Sequence, residues 1–524
     1  MKEETERKGL SLLKKGKQTM GKMIFSRSGL ILLLLIVQFL FLFSIFKWFG
    51  DFLPHIYGGV FVFTLFMLLY LLNCSMDPTA KISWLIIEML LPVFGALLFI
   101  FTRKNIGHGA LKKRFQELND DKDELVPQCD QVLQELEKIN PAVVNLSHYV
   151  SQTGCYPIYN NTAVKYFPLG EDKFKEMLIQ LEKAKDFIFM EYFIINEGKM
   201  WGDILEILAR KVKEGVDVRV LYDGTCELST LPHDYPKRMA SLGIKCKMFA
   251  PIKPFVSTHY NYRDHRKILV IDGKVAFNGG VNLADEYINE YVKYGHWKDT
   301  AVMVEGEAVR SFTRMFLHMW NLDEKNPEFK PFLDAEVSPV KCKGFVMPYG
   351  DCPLDDDKVG EQVYIDMLNR AEKYIYIMTP YLILDSDLEN TLKYTAKRGV
   401  DVRLILPGIP DKYIPFSLAL THYKTLIESG VKIFEYTPGF VHAKVFVTDN
   451  REAVVGTINL DYRSLYHHFE CATYMYDTEC IPEIREDFLK TEEKCRTITL
   501  DVIKKEPLKR KLLGPIAKVA APLM

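Results

Sequence analysis

Polar and apolar positions divide the chain into two regimes. In the first hundred or so residues, three stretches (30–46, 56–72 and 82–101) are dominated by Leu, Ile, Phe and Val and have no polar face. Each approaches the roughly 20 helical residues that cross about 30 Å of hydrocarbon, so membrane-inserted helices are predicted rather than buried core helices. The first stretch is long, lacks a small-residue cleavage site and is followed by further apolar spans, unlike a cleaved signal. Past residue 151 the pattern changes to short apolar runs alternating with amphipathic stretches, which predicts strands and helices in turn.

That later region holds one unit twice. The first copy predicts a helix from Phe174, a strand from Phe187, a helix over 204–213 and a strand over 215–224. The second predicts the same series from Val363, from Tyr374, over 388–397 and over 399–408. Gly-Val-Asp-Val-Arg occurs verbatim at 215–219 and 399–403, and each copy continues into a helix (235–242; 422–429) and a short strand (245–249; 432–436). The expected fold class is α/β: N-terminal transmembrane helices, then two duplicated lobes with largely buried mixed sheets, related by a pseudo-twofold axis. The expected segments are a basic tail (1–28), a membrane domain of two or three helices (29–104), a connector (105–150), a first lobe (151–340), a second lobe (341–480) and a helical tail (481–524).

Charge sharpens the membrane reading. The 67 basic and 68 acidic residues leave a net charge of -1, which argues against a nucleic-acid binder. Lys and Arg crowd both the leading tail and the segment after the third stretch, and both ends therefore favour the cytoplasm. Three full spans cannot satisfy both ends, whereas two can, either with the first stretch in the interface or with the third bent at Pro92 and Gly95. The ten Cys are scattered without a C-x2-C pair, so neither a zinc site nor a disulfide framework is expected. The tail over 502–524 mixes lysines with aliphatic residues and fits either an amphipathic interfacial segment or a solvated terminal helix. An aromatic loop at 251–262 fits either a lipid-facing role or packing over a sheet edge.

The chemistry lies in a doubled signature, H-x-K-x4-D. It reads His265-Arg-Lys267-Ile-Leu-Val-Ile-Asp272 and His442-Ala-Lys444-Val-Phe-Val-Thr-Asp449, each followed by Gly and Asn: Gly279-Gly280-Val-Asn282 and Gly456-Thr457-Ile-Asn459. On a strand, His and Lys two apart share one face. Two such faces across a cleft form a phosphoryl-transfer site. One imidazole attacks phosphorus, the opposite imidazolium protonates the leaving alcohol, and the Lys and Asn groups stabilise charge on the non-bridging oxygens. No metal is expected, because H-x-K puts a cation where a metal would need its second ligand. The expected carboxylate partners are Glu470 in the second half and Asp299 in the first, with Asp285 and Glu286 as rivals for the latter. Asp272 and Asp449 are candidates for catalysis, with a structural role in the turns as the alternative.

The doubled H-x-K-x4-D with its Gly and Asn resembles the phospholipase D superfamily. The segment Asp77-Pro-Thr-Ala-Lys-Ile-Ser-Trp84, the Leu91-Pro92-Val-Phe-Gly95 run, Tyr192, Thr379-Pro-Tyr381 and Asn459-Leu-Asp-Tyr-Arg463 extend the resemblance to the bacterial cardiolipin synthases of that superfamily, over roughly residues 25–524. The resemblance implies a multi-pass cell-membrane enzyme without a cofactor, acting on phosphatidylglycerol and yielding cardiolipin and glycerol through a phosphatidyl-histidine. It implies His265 as nucleophile and His442 as acid. Thr457 stands where Ser is frequent, and both supply a hydroxyl. The alternatives are a membrane-bound phospholipase D hydrolase and a transphosphatidylase using another alcohol.

Overall fold

The computed structural model describes residues 53–521 apart from 104–107, 120–124, 252–261, 336, 338–339 and 356. The predicted basic tail, the first apolar stretch and most of the 251–262 loop lie outside the described residues. The chain forms two compact units: one spans 112–251 and 261–517, and the other includes 16–111.

In the apolar unit, helix α1 (Leu53–Asn73) is followed by α2 (Pro78–Leu90) and α3 (Pro92–Arg103). Asp77 starts α2 by accepting from Ala80 N (3.0 Å), with a proline at the helix entry. The predicted stretch 82–101 is not one helix. It breaks at Leu91, and α2 and α3 fold against each other so closely that a Cβ on Gly95 would sit 2.9 Å from Ile87 O. Met67 and Leu71 of α1, Trp84 of α2, and Ala96 and Phe99 of α3 close the small core. Helices α2 and α3 have 13 and 12 residues, so each spans about 20 Å at about 1.5 Å per residue. The described side chains of α1 begin at Gly58; among the described residues no helix is long and apolar enough to cross a membrane.

The other unit carries the duplication. Its first lobe contains β1 (Thr162–Phe167), β2 (Phe187–Tyr192), β3 (Asp217–Asp223), β4 (Lys245–Phe249), β5 (Arg263–Asp264), β6 (Lys267–Ile271), β7 (Val275–Gly279), β8 (His296–Lys298) and β9 (Ala301–Gly306). The second contains β10 (Phe345–Asp351), β11 (Tyr374–Met378), β12 (Asp401–Pro407), β13 (Lys432–Tyr436), β14 (Gly439–Val441), β15 (Val445–Thr448), β16 (Glu452–Gly456), β17 (His468–Tyr476) and β18 (Cys495–Ile498). The sheet orders match strand for strand, β1-β9-β7-β6-β2-β3-β4 against β10-β17-β16-β15-β11-β12-β13, with β18 added at the second edge. Both sheets mix parallel and antiparallel pairs, and their central strands are buried on both faces, as the apolar runs predict.

The verbatim repeat is architectural. Gly215 and Gly399 end the preceding helices at φ +96° and +95°, where a side chain would be strained. Two residues apart on one strand face, Arg219 grips Asp217 (2.7 Å) and Arg403 grips Asp401 (2.6 Å). Lys245 and Lys432 on the neighbouring strands reach the same aspartates at 2.9 and 2.8 Å.

Asp272 and Asp449 hold turns, as the structural alternative to a catalytic role expects. Both sit at positive φ past the far ends of β6 and β15. Asp272 accepts from the amides of Lys185, Asp186 and Phe187, and Asp449 from those of Glu372, Lys373 and Tyr374, fixing the entry to β2 and β11. Asp272→Ala orphans three donors and should destabilise the fold by on the order of 3 kcal/mol, read by denaturant unfolding. Turnover per folded molecule should be unchanged.

From residue 112 onward, the segment predicted as a connector is part of this unit. Helices Asp130–Ile139 and Pro141–Gly154 bury Val132, Leu136, Val143, Leu146 and Val150, and Asn140 Nδ2 donates to Tyr476 OH (3.2 Å).

Candidate active site

Two short strand pairs stitch the lobes together. β5 of the first lobe lies parallel to the start of β17 of the second, and β14 of the second lies parallel to β8 of the first. Each pair runs directly into a signature histidine on one strand and a carboxylate on the other. His265 N donates to Phe469 O (3.0 Å), and His442 N donates to Lys298 O (2.7 Å). Each histidine is thereby pinned by the lobe to which it does not belong.

The carboxylates follow the same exchange. His265 Nδ1 lies 2.9 Å from both oxygens of Glu470, and His442 Nδ1 lies 2.7 Å from Asp299 Oδ2. Both expected partners are therefore in the cluster, but each serves the histidine of the opposite half. Asp285 instead accepts from the amides of Lys199 and Met200, and Glu286 pairs with Lys293, so the two rivals stand elsewhere. A carboxylate accepting from Nδ1–H assigns the tautomer and leaves Nε2 with its lone pair for chemistry.

Lys267 and Lys444 are fully buried on the faces of their histidines, and their Nζ atoms donate to His265 O and His442 O. The residue between His265 and Lys267, Arg266, turns to the opposite side, where it donates to Glu470 O (3.2 Å) and lies 3.8 Å from Glu191. Burial and the neighbouring ammonium groups act on both imidazoles. His265 is pushed well below the ordinary histidine range, by burial first and then by Lys267 and Lys444. His442 is pushed down to about 4 by burial and Lys444, with Asp299 opposing. Burial lowers Lys267 to about 8 and Lys444 to about 7. An anionic phosphodiester supplies the charge that this cluster of cations lacks.

The supporting residues break the twofold relation. Thr457 and Ser464 both donate hydroxyls to Glu470. In the first lobe Gly280 stands opposite Thr457, and a Cβ there would meet Asp299 Oδ1 at 2.1 Å, so that position has no room for a side chain. Asn282 is committed within the fold, accepting from Ile194 N (3.0 Å) and donating to Tyr287 OH (2.8 Å). Asn459 is nearly buried, and its Oδ1 meets no hydrogen-bond partner. The His442 side is walled by Tyr287, Trp297 and Phe440, with ring centroids 5.4, 5.5 and 5.9 Å away. On the other side Phe193 lies 4.8 Å and His468 5.2 Å from His265.

Two residues of the cluster escaped the sequence reading. His468 is buried 3.4 Å from Glu470 Oε1; its position two before Glu470 on one strand was a usable signal. Together His265, His468 and Glu470 bring three potential metal-ligand atoms within 4.8 Å of one another. The oxygens of Glu470 are already occupied by Thr457, Ser464 and His265, a donor set that suits a carboxylate–imidazole pair. Lys173 is fully buried, donates to Val281 O (3.2 Å) and is lowered to about 7 by burial, with Asp299 and Lys267 acting on it. Three residues past Gly360 the second lobe has Val363 in the corresponding place, a difference visible on aligning the halves.

Comparison with known proteins places these features in a family. Residues 177–320 and 364–491 match the family model described as cardiolipin synthase, PLD-like domain. The chain is 55% identical over 456 residues to an uncharacterized protein of Streptococcus mutans, covering 87% of this chain and 99% of that one. It is 32% identical over 452 residues to a cardiolipin synthase of Alkalihalophilus pseudofirmus, covering 85% of this chain and 89% of the relative. Among solved structures, phosphatidylserine synthase of Haemophilus influenzae matches 73% of this chain and 99% of its own, with a TM-score of 0.55 at 16% identity, which speaks to the fold.

Proposed function

Since this chain belongs to the bacterial cardiolipin synthases of the phospholipase D superfamily, we propose that it is a phosphatidyltransferase working through a phosphatidyl-histidine on His265. His265 Nε2 attacks the phosphorus of one phosphatidylglycerol, the bond from phosphorus to the headgroup glycerol oxygen breaks, and His442 gives that oxygen its proton. The terminal hydroxyl of a second phosphatidylglycerol then attacks phosphorus and returns a proton to His442 Nε2 as the P–N bond breaks. Two phosphatidylglycerols become cardiolipin and glycerol. Lys267 and Lys444 stabilise charge on the non-bridging oxygens, a role Asn459 can share through its side chain.

The observation that carries the roles is the crossed pair of imidazole–carboxylate contacts. Both histidines have Nδ1 held and Nε2 free, so one can attack while the other transfers a proton. Burial, Lys267 and Lys444 hold His265 neutral, which suits the nucleophile, and Asp299 raises the basicity of His442 against burial, which suits the acid.

The substrate resides in a bilayer, and the chain is read as a multi-pass protein of the cell membrane. The basic segments at both ends of the apolar region support two crossings with a bent third stretch, and the break at Leu91 between α2 and α3 supports a hairpin that dips in without crossing. The experiment is product analysis: purified protein in detergent, phosphatidylglycerol as the sole lipid, EDTA present. Cardiolipin and glycerol in equal amounts are expected. Phosphatidic acid as the sole lipid product would make water the acceptor and overturn the transferase reading.

A further inference from the structure

Outside the catalytic cluster, the last helix, Leu508–Ala520, presents two contrasting faces. Its sequence carries lysines and one arginine and no acidic residue. One face is clamped to the second lobe. Arg510 stacks on Phe416 at 3.5 Å, donates to Phe416 O (3.0 Å) and pairs with Glu506 at 2.9 Å. Gly514 passes so near helix Tyr413–Glu428 that a Cβ would lie 2.5 Å from Ser417 O.

The opposite face is a bare aliphatic row. Leu508, Leu512 and Ile516, spaced four apart and so on one side of the helix, are 69%, 59% and 70% exposed. Tyr413 and Ile414, at the start of the neighbouring helix, are exposed as well, and the Lys509 ammonium lies 5.4 Å from the Tyr413 ring. Lys504, Lys505 and Lys511 flank the row. The surface also adjoins the catalytic cluster: Lys412, the residue before Tyr413, is among the charges that depress His265, and Asp411 accepts from Tyr381 OH (2.6 Å).

We propose that this row and the first turn of helix Tyr413–Glu428 form a docking surface for an anionic leaflet, holding the mouth of the site against bilayer phosphatidylglycerol. The proposal rests on the lipid-substrate reading above. Aliphatic side chains on a helix whose own charges are all cationic match the acyl boundary beneath anionic headgroups. A stable protein partner would instead need about 1,000 Å² or more of buried interface, well beyond one row of three side chains.

The test uses the full chain in vesicles containing phosphatidylglycerol and the double variant Leu512→Glu/Ile516→Glu. Turnover is counted as phosphatidylglycerol consumed, whichever product forms, so the result does not depend on the acceptor. The variant should lose about tenfold or more of kcat/KM on vesicle substrate, because two charges would have to enter the interface. On monomeric short-chain phosphatidylglycerol it should match the wild type. Equal loss on both substrates, or no loss on vesicles, overturns the proposal. A separate Ile516→Trp variant should be quenched by brominated lipids in the same vesicles. Emission that stays unquenched, or that changes only with protein concentration as self-association requires, also counts against the proposal.

Discussion

Replacing His265 with alanine is expected to abolish reaction with every substrate, while replacing His442 is expected to spare the first half-reaction wherever the leaving group departs without a proton. With phosphatidylglycerol both variants should fall by about 10²–10⁴-fold or more, since one removes the nucleophile and the other the general acid. A phosphatidyl ester with a nitrophenol leaving group separates them, because nitrophenolate departs without a proton. On that ester the His442→Ala variant should release nitrophenol in a burst of one per chain and then stall, since no base remains to activate the acceptor. A phosphatidyl-histidine should accumulate and be found at residue 265 by mass spectrometry of alkali-stabilised peptides. The His265→Ala variant should show neither burst nor adduct. A burst from His265→Ala together with none from His442→Ala would reverse the two assignments.

The second large effect separates the carboxylates along the same line, but crossed. Glu470 lies in the second lobe, yet it holds His265 of the first, and Asp299 of the first holds His442 of the second. Amide substitutions keep the shape and lose the acceptor that fixes the tautomer, a change expected to reduce kcat by about 10²–10⁴-fold. Glu470→Gln should behave like His265→Ala, with no burst on the activated ester. Asp299→Asn should behave like His442→Ala, silent on phosphatidylglycerol and active for one turnover on the ester. Pairing within each lobe would give the opposite pattern, so the burst amplitudes of the two variants decide between crossed and uncrossed sites.

The repeat and both H-x-K pairs were plain in the sequence because they are local: a period of two on a strand puts His and Lys on one face. The crossing was not. It depends on β5, β8 and β14, strands of two or three residues that pair across about 140 to 205 positions and carry no periodic signal of their own. Asp272 and Asp449 belong to the signature and so are candidates from the sequence. Five residues of strand at about 3.3 Å each already set them some 16 Å from Lys267 and Lys444, and that arithmetic points to the turns they hold. Pro92 and Gly95 gave usable warning of the break in the third apolar stretch. Lys173 and His468 carry only weak signals, a position where the two halves differ and a spacing of two before Glu470, and the folded chain gives those signals their meaning.

The exchange of strand ends and carboxylates has a consequence for how the enzyme behaves when scarce. Neither signature histidine has its Nδ1 carboxylate in its own lobe, so the paired site exists only where two halves meet. Carried on separate chains, such halves would associate according to their concentration, and a protein present at a few copies would spend much of its time disassembled. One polypeptide replaces that equilibrium with an intramolecular one, whose effective concentration is on the order of millimolar. Catalytic competence then becomes a property of each molecule, indifferent to how thinly it is spread.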